Sequence, residues 1–275
     1  MIESLGIVDT KKIIAAVKDS FTLDLQDYNL TTLRRRFIHI MHYFNDSIVD
    51  NFVTNIKNNN IDKEEFIDQL TIDSTELFRD PSFWRELREK YLPEISEAPG
   101  SKIWLAGVSS GEELFTLLIL LKETNLLNKI RVVVSCPSKK RIESIKNGGL
   151  YEMKKIEIGE ANYVRFSGET NFSEYYTQQG INAVMNTDLL NGVEFNNINI
   201  SQDTTNKSYR MIIFRNTLIQ YNLPLYEKVI RKLTNSLIIG GYLMLGNKET
   251  LEHSEVGKRM QPTNEDEKIY RKRVD

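Results

Sequence analysis

The chain is short of the residues that build the commonest small reactive centres. It holds one cysteine, Cys136, and three histidines in 275 residues. A single thiol excludes an internal disulfide, and no Cys/His spacing suggests structural zinc. His39 and His42 lie three apart, which can place both on one helix face, but His253 is distant and no third ligand is indicated. No metal is therefore expected. Cys136, beside Pro137, has no histidine or helix N-terminus evident to lower its pKa and reads as a structural thiol. Long apolar runs are also lacking: the longest, LFTLLILL (114–121), is far too short to span a bilayer. The start, MIESLGIVDTKK, has no basic flank leading into an apolar stretch. No signal peptide is expected, no direct membrane insertion, and a cytoplasmic location. Charge of one sign is missing as well. A formal net charge of −2 argues against nucleic-acid binding, which rests on a basic surface; the local exception is RRR at 34–36. No repeat occurs at solenoid periods.

What is present suits a globular protein with a sizeable core: 40% of residues are hydrophobic and 27% charged. The first part reads as helices. Apolar residues recur at helical spacing in 11–21 and in 31–44, where Leu33, Phe37, Ile40, Met41 and Phe44 form a stripe. Residues 62–71 and 81–92 read as two further helices, with Pro93 and Pro99-Gly100 as breakers and NIKNNNID (55–62) as a short turn. Strand and helix then alternate. KIWLAGV (102–108), IRVVVS (130–135), YRMIIFRN (209–216), GGYLMLG (240–246) and EKIYRKRV (267–274) read as strands. Residues 112–127, 139–148 (closed by Gly148-Gly149) and 225–237 read as helices. The stretch 161–179 fits neither period and reads as an excursion. The pattern predicts a small all-helical domain over residues 1–94, then an α/β domain over 95–275 with an open, mostly parallel sheet.

In such a sheet the ligand lies beyond the carboxyl ends of the strands, near the first strand–helix turn. Here that turn is AGVSSGEE (106–113), with glycines at 107 and 111. The spacing matches neither a dinucleotide fingerprint nor a phosphate-binding loop. Glu112 and Glu113 would repel a pyrophosphate from the helix N-terminus. A ligand with a cationic end and neutral hydroxyls, such as S-adenosylmethionine, suits the turn better. The alternative is plain capping, because Ser110 and Glu113 also have capping-box spacing.

Five segments in order, with a helical preface, cover almost the whole chain. DSTELFRDP (73–81) is close to N-x-T-x-F-F-R-[DE]-P. IWLAGVSSGEELFTLLILL (103–121) is close to a W-x-A-G-C-S-T-G-E-E strand–turn–helix, GLY (149–151) follows the next helix, and RMIIFRNTLIQYN (210–222) is close to an I-x-C-R-N-V-L-I-Y-F strand end. GGYLMLGNKETL (240–251) is close to G-G-x-L-x-L-G-x-S-E, and in the preface LQDYNLTTLRRRF (25–37) is close to Y-x-x-x-T-L-x-R-R. Together they resemble the CheR-type chemotaxis receptor methyltransferases. The resemblance implies a Rossmann-like methyltransferase that uses S-adenosylmethionine, releases S-adenosylhomocysteine and esterifies glutamates on the cytoplasmic helices of chemotaxis receptors. It implies that Arg79 lies in the active site, that Asp73, Thr75 and Gly107 border the cofactor, and that Glu113 meets its methionyl part. Asn199 and Ile200 would lie near the adenine, and Arg215 and Asn216 would close the far side. The basic helical domain, with RRR at 34–36, would face acidic receptor helices. A monomer is the default expectation.

Two key positions depart from the family, beside milder exchanges at Asp73, Val108 and Ile200. The acidic residue usual after the second strand, which accepts hydrogen bonds from ribose hydroxyls, is replaced by Cys136. A thiol is a poor acceptor, and losing a charged partner costs roughly 1.5–3 kcal/mol of binding. The active-site tyrosine position is Gln220, with Tyr221, the remaining catalytic candidate, one place later. Three readings follow: a protein-glutamate methyltransferase, a binding or regulatory module on the same fold, and a methyltransferase for a small-molecule nucleophile. The last leaves the helical domain unexplained.

Overall fold

The computed structural model describes residues 4–71, 75–203, 208–252 and 254–273. Four helices open the chain: α1 (Ile7–Phe21), α2 (Leu30–Tyr43), α3 (Val49–Lys57) and α4 (Lys63–Leu70). Side chains with acceptor oxygens start two of them. The Asn29 side chain accepts from the Thr31 and Thr32 amides at the head of α2, and Asp62 accepts from Glu65 at the head of α4. The apolar stripe on α2 buries Leu33, Phe37, Ile40 and Met41 against Phe52 and Phe66, in a core running from Leu5 to Phe66. Helix α3 is absent from the sequence reading, which took the end of its last turn, Asn55–Lys57, for part of the Asn-rich turn.

The segment from Pro81 does not end at Pro93. Helix α5 (Pro81–Glu86) passes through a π-helical turn (Leu87–Tyr91) into α6 (Leu92–Ser96). Leu92 donates its amide to Leu87, five residues back. That wider turn gives room just where a proline ring would collide with the preceding turn of an α-helix.

The alternating part follows as β1 (Lys102–Leu105), α7 (Glu112–Glu123), β2 (Arg131–Cys136), α8 (Lys139–Lys146), β3 (Tyr151–Glu152) and α9 (Met153–Phe166). It continues through β4 (Tyr176–Gln179), β5 (Asn182–Met185), β6 (Glu194–Asn197), β7 (Tyr209–Ile213), α10 (Leu223–Ser236), β8 (Leu237–Met244), β9 (Met260–Asn264) and β10 (Ile269–Lys272). The main sheet has the order β6-β2-β1-β7-β8-β10-β9. Its first five strands are parallel, and β10 and β9 run antiparallel at one edge. The expected mostly parallel sheet is therefore present. The excursion is also present, as helix α9 and a separate antiparallel sheet, β3-β5-β4.

The apolar strands read as continuous runs because both faces are covered. Ile103, Leu105, Val132, Val134, Met211 and Ile213 face one core. Their neighbours Trp104, Val133, Ile212 and Phe214 face the other. Helix α7, apolar from Leu114 to Leu121 but for Thr116, packs in the first core, with Leu114, Phe115 and Leu117 to Leu121 buried. Leu77 to Ile95 join that same core, so the segment before β1 is fastened to the sheet.

Candidate active site

The β1–α7 turn is shaped by two glycines with left-handed backbones, Gly107 (φ 69°) and Gly111 (φ 98°). A Cβ on Gly107 would stand 3.0 Å from the Phe214 ring, and one on Gly111 would stand 2.9 Å from the Tyr151 hydroxyl. Only glycine combines that conformation with that proximity. The turn hangs on Ser135: its hydroxyl accepts from the Gly107 amide (3.2 Å) and from the Trp104 indole (3.1 Å), and its carbonyl accepts from Val108 (2.8 Å).

The capping box is not made. Helix α7 begins after Gly111 with no side-chain cap. Ser110 instead donates to Glu112, which is buried and faces Lys155 at 3.7 Å. Glu113 is thereby left to point toward the sheet's strand ends, where the Arg215 guanidinium lies 3.6 Å away.

Arg215 is the centre of the site. Its side chain is 1% exposed and donates to Asp80 at 2.7 Å and to the Leu245 carbonyl at 3.4 Å. It also stacks on the Phe83 ring at 4.0 Å. Asp80 is reached through a contorted backbone: Phe78 (φ 52°) and Asp80 (φ 57°) are both left-handed. That shape is held by the Phe78 amide donating to the Thr116 hydroxyl of α7 (2.9 Å) and by the Trp84 indole donating to the Arg79 carbonyl (2.8 Å). The aromatics of FRDPSFW are thus clamps. Phe78 sits among Tyr163, Phe166 and Phe172, and Phe83 carries Arg215. Arg79 turns outward, with its side chain 36% exposed and Nε 4.0 Å from Asp80.

A cavity opens beside this network. Seven of the expected residues line it: Thr75, Gly107, Glu113, Asn199, Ile200, Arg215 and Tyr221. Arg79, Cys136 and Asn216 are not in the lining, and Asp73 lies outside the described residues. Cys136 ends β2 fully buried, with its thiol 3.4 Å from the Ser138 carbonyl, while Pro137 and Ile198 form the wall there. A thiol so enclosed should resist alkylation in the folded protein. Reaction with a thiol-specific reagent is expected only on unfolding, and a fast reaction under native conditions would contradict the burial.

The carboxylates of the site are not ordinary. Burial raises the Glu113 pKa to about 7, helped by the charge of Glu249 and opposed by Arg215 and Arg79. Burial also raises Glu249, against the backbone amides of Gly246, Leu218, Asn216 and Thr217, which favour its charge. Tyr221 is pushed well above its usual value by burial and by Tyr28, whose ring meets it edge-on at 5.1 Å. Its phenol stays neutral and can donate a hydrogen bond.

The helical region contributes residues that sequence reasoning did not assign to the site. Tyr28, Leu23, Ile67, Leu70 and Thr71 line the same cavity. Tyr28 pairs with Tyr221 as an isolated antiparallel bridge, Asn29 donates to the Gln220 carbonyl (2.8 Å), and the Tyr28 hydroxyl donates to Ser201 (3.0 Å). Tyr28 does stand in the segment LQDYNLTTLRRRF, so the signal was there without a role. The triplet RRR is largely spent on structure. Arg34 donates to the Leu5 carbonyl (2.6 Å) and Arg36 to the Thr71 carbonyl (2.8 Å), leaving Arg35 exposed.

Residues 73–266 match the family described as "CheR methyltransferase, SAM binding domain". The chain is similar to "Putative methyltransferase Cher3" of Pseudomonas putida strain KT2440, at 28% identity over 265 residues, covering 96% of this chain and 97% of that one. It is similar to the chemotaxis protein methyltransferase of Listeria innocua serovar 6a, at 24% identity over 237 residues, covering 86% and 87% of the two chains. A third relative is chemotaxis protein methyltransferase 1 of Pseudomonas aeruginosa strain PAO1, at 25% identity over 202 residues, covering 70% and 71%. Among the described residues no helix is long and apolar enough to cross a membrane.

Proposed function

Because the chain belongs to the CheR methyltransferase family, with S-adenosylmethionine as its cofactor, we propose that it transfers the methyl group to glutamate carboxylates of chemotaxis receptors. The observation that carries this reading is the Arg79–Asp80–Arg215–Glu113 array beside the cavity, with Glu113 and Arg215 in its lining. Arg79, with its side chain 36% exposed, can orient a substrate carboxylate through its planar fork. Bound in the cavity, the cofactor supplies a methyl group on a sulfonium. The partly buried Glu113 fits its cationic amino-acid end, and Thr75 and Gly107 border it. Asn199 and Ile200 would flank the adenine, with Arg215 and Asn216 closing the opposite side. A substrate glutamate has a reference pKa of about 4.3 and is already ionised at neutral pH, so the chain needs no general base. Its task is alignment of the carboxylate oxygen with the methyl carbon. Tyr221, held neutral, can donate to that carboxylate in place of the displaced family tyrosine.

One observation favours a second reading, a binding module with weakened turnover. Among the described residues no carboxylate lines the cavity at the end of β2, where Pro137 and Ile198 stand. Calorimetric titration with S-adenosylmethionine and S-adenosylhomocysteine separates the two. Micromolar binding, followed by methyl transfer to receptor glutamates that Arg79→Ala reduces at least about a hundredfold, is the expected result. Binding without transfer to any receptor would leave the module reading standing, and no binding at millimolar ligand would sink the enzyme reading.

A further inference from the structure

Glu249 lies in the segment after β8, far in sequence from every residue so far assigned a role at the cavity. It is 4% exposed. Among the described residues no cation pairs with it, and three backbone amides donate to it within 2.9 Å. Its Oε2 accepts from Asn216 (2.9 Å) and Gly246 (2.7 Å), and its Oε1 accepts from Leu218 (2.6 Å). Two of these donors belong to the loop 215–221, which carries Arg215, Thr217, Gln220 and Tyr221 into the cavity lining. The loop needs such a clamp, because Asn216 is left-handed (φ 58°) and no regular ladder holds it. Gly246 is required for the same closeness: a Cβ there would stand 2.6 Å from the Asn216 side chain and 3.0 Å from Glu249 itself.

We propose that Glu249 is a positioning residue: its carboxylate fixes the loop 215–221, which carries Arg215 and Tyr221 into the cavity lining, against Gly246. The proposal rests on cofactor use and not on the identity of the methyl acceptor. Fixing the loop requires both oxygens and the full side-chain length; any effect on Glu113 requires only the charge. The charged and titratable groups that bear on Glu113 are Arg215, Arg79 and Glu249, and those that feel Glu249 are Glu113, Tyr221 and Tyr226. Glu249 pushes Glu113 toward its protonated form, so removing the charge should let Glu113 ionise at lower pH.

The test is calorimetric affinity for S-adenosylhomocysteine between pH 6 and 8.5, on the unaltered chain and on Glu249→Gln and Glu249→Asp. Glu249→Gln turns an amide donor toward at least one of the three backbone N–H groups. It should weaken binding at least about tenfold at pH 8 and move the break in the affinity profile to lower pH. Glu249→Asp keeps the charge and shortens the reach, so it should weaken binding and leave the break in place. Unaltered affinity and an unaltered break in both variants would overturn the proposal. So would loss of the cooperative thermal transition in both, which would reduce Glu249 to a support of the fold. If the unaltered chain binds no S-adenosylhomocysteine, cofactor use itself falls, and this role with it.

Discussion

Replacing Arg215 with alanine is expected to remove about 3 kcal/mol of folding stability and to abolish measurable cofactor binding in the same stroke. Truncating one member of a buried ion pair costs about 3–5 kcal/mol, because the charge left behind has neither water nor partner. Two carboxylates would be stranded here: Asp80, 2.7 Å away, and Glu113, 3.6 Å away. The low end of the range applies because Asp80 is 28% exposed. Phe83 would lose the cation on its face as well. The loss should be larger at pH 8 than at pH 6, since at pH 6 Glu113 can take up a proton and shed its charge. Urea unfolding at the two pH values reads both effects. Arg215→Lys should recover part of the stability, having the charge without the planar fork that bonds Asp80 and stacks on Phe83. A loss below about 1 kcal/mol at pH 8 would mean that the pair is effectively solvated, and that the FRDP segment is not fastened to the sheet through it.

That segment also shows what a sequence can and cannot disclose. Its unusual order, Arg-Asp-Pro among aromatics, pointed to a special role, and resemblance assigned the role to Arg79. In the structure Asp80, its neighbour, grips Arg215 from 135 residues away in the chain. No local pattern encodes such a pairing. The strands of the parallel core were legible because burial on both faces makes them unbroken apolar runs. β6 (Glu194–Asn197) and β9 (Met260–Asn264) were not, since they form the two edges of the sheet and need little apolar surface. Pro262 could sit in β9 for that reason. Pro93 misled in the opposite direction, because a π turn removed the conflict that normally ends a helix. The helical region's share in the cavity was invisible for a further reason. Tyr28, Ile67 and Leu70 look like ordinary core residues of amphipathic helices and their connections, and only the contact of Tyr28 and Asn29 with the loop at Gln220 and Tyr221 turns this region into lining.

Glu113→Gln should improve the stability of the unliganded protein at pH 8 while weakening its hold on the cofactor. The folded-state pKa of Glu113 is about 7, above its ordinary 4.5. Between these values the folded chain keeps a proton that the unfolded chain releases. Its contribution therefore lowers stability as pH rises through that window, and the penalty is complete above pH 7. Glutamine carries no charge at any pH, so the slope between pH 5 and 7 should flatten. Stability at pH 8 should rise by roughly 1–3 kcal/mol, with Arg215 retaining Asp80. Ligand affinity should move the other way. A cationic group beside Glu113 favours the ionised carboxylate, so the unaltered chain should bind more tightly as pH rises to about 7 and then level off. The glutamine variant should bind about tenfold to a hundredfold more weakly at pH 8 and show no such break. Thermal melts without ligand and calorimetric titrations with S-adenosylhomocysteine across pH 5.5–8.5 measure the two halves. A flat affinity profile in the unaltered chain would place Glu113 away from the cation. A destabilised glutamine variant at pH 8 would show that its pairing with Arg215 outweighs burial. The expected pattern, a more stable protein that binds less well, would mark Glu113 as a strained charge kept for the ligand and not for the fold.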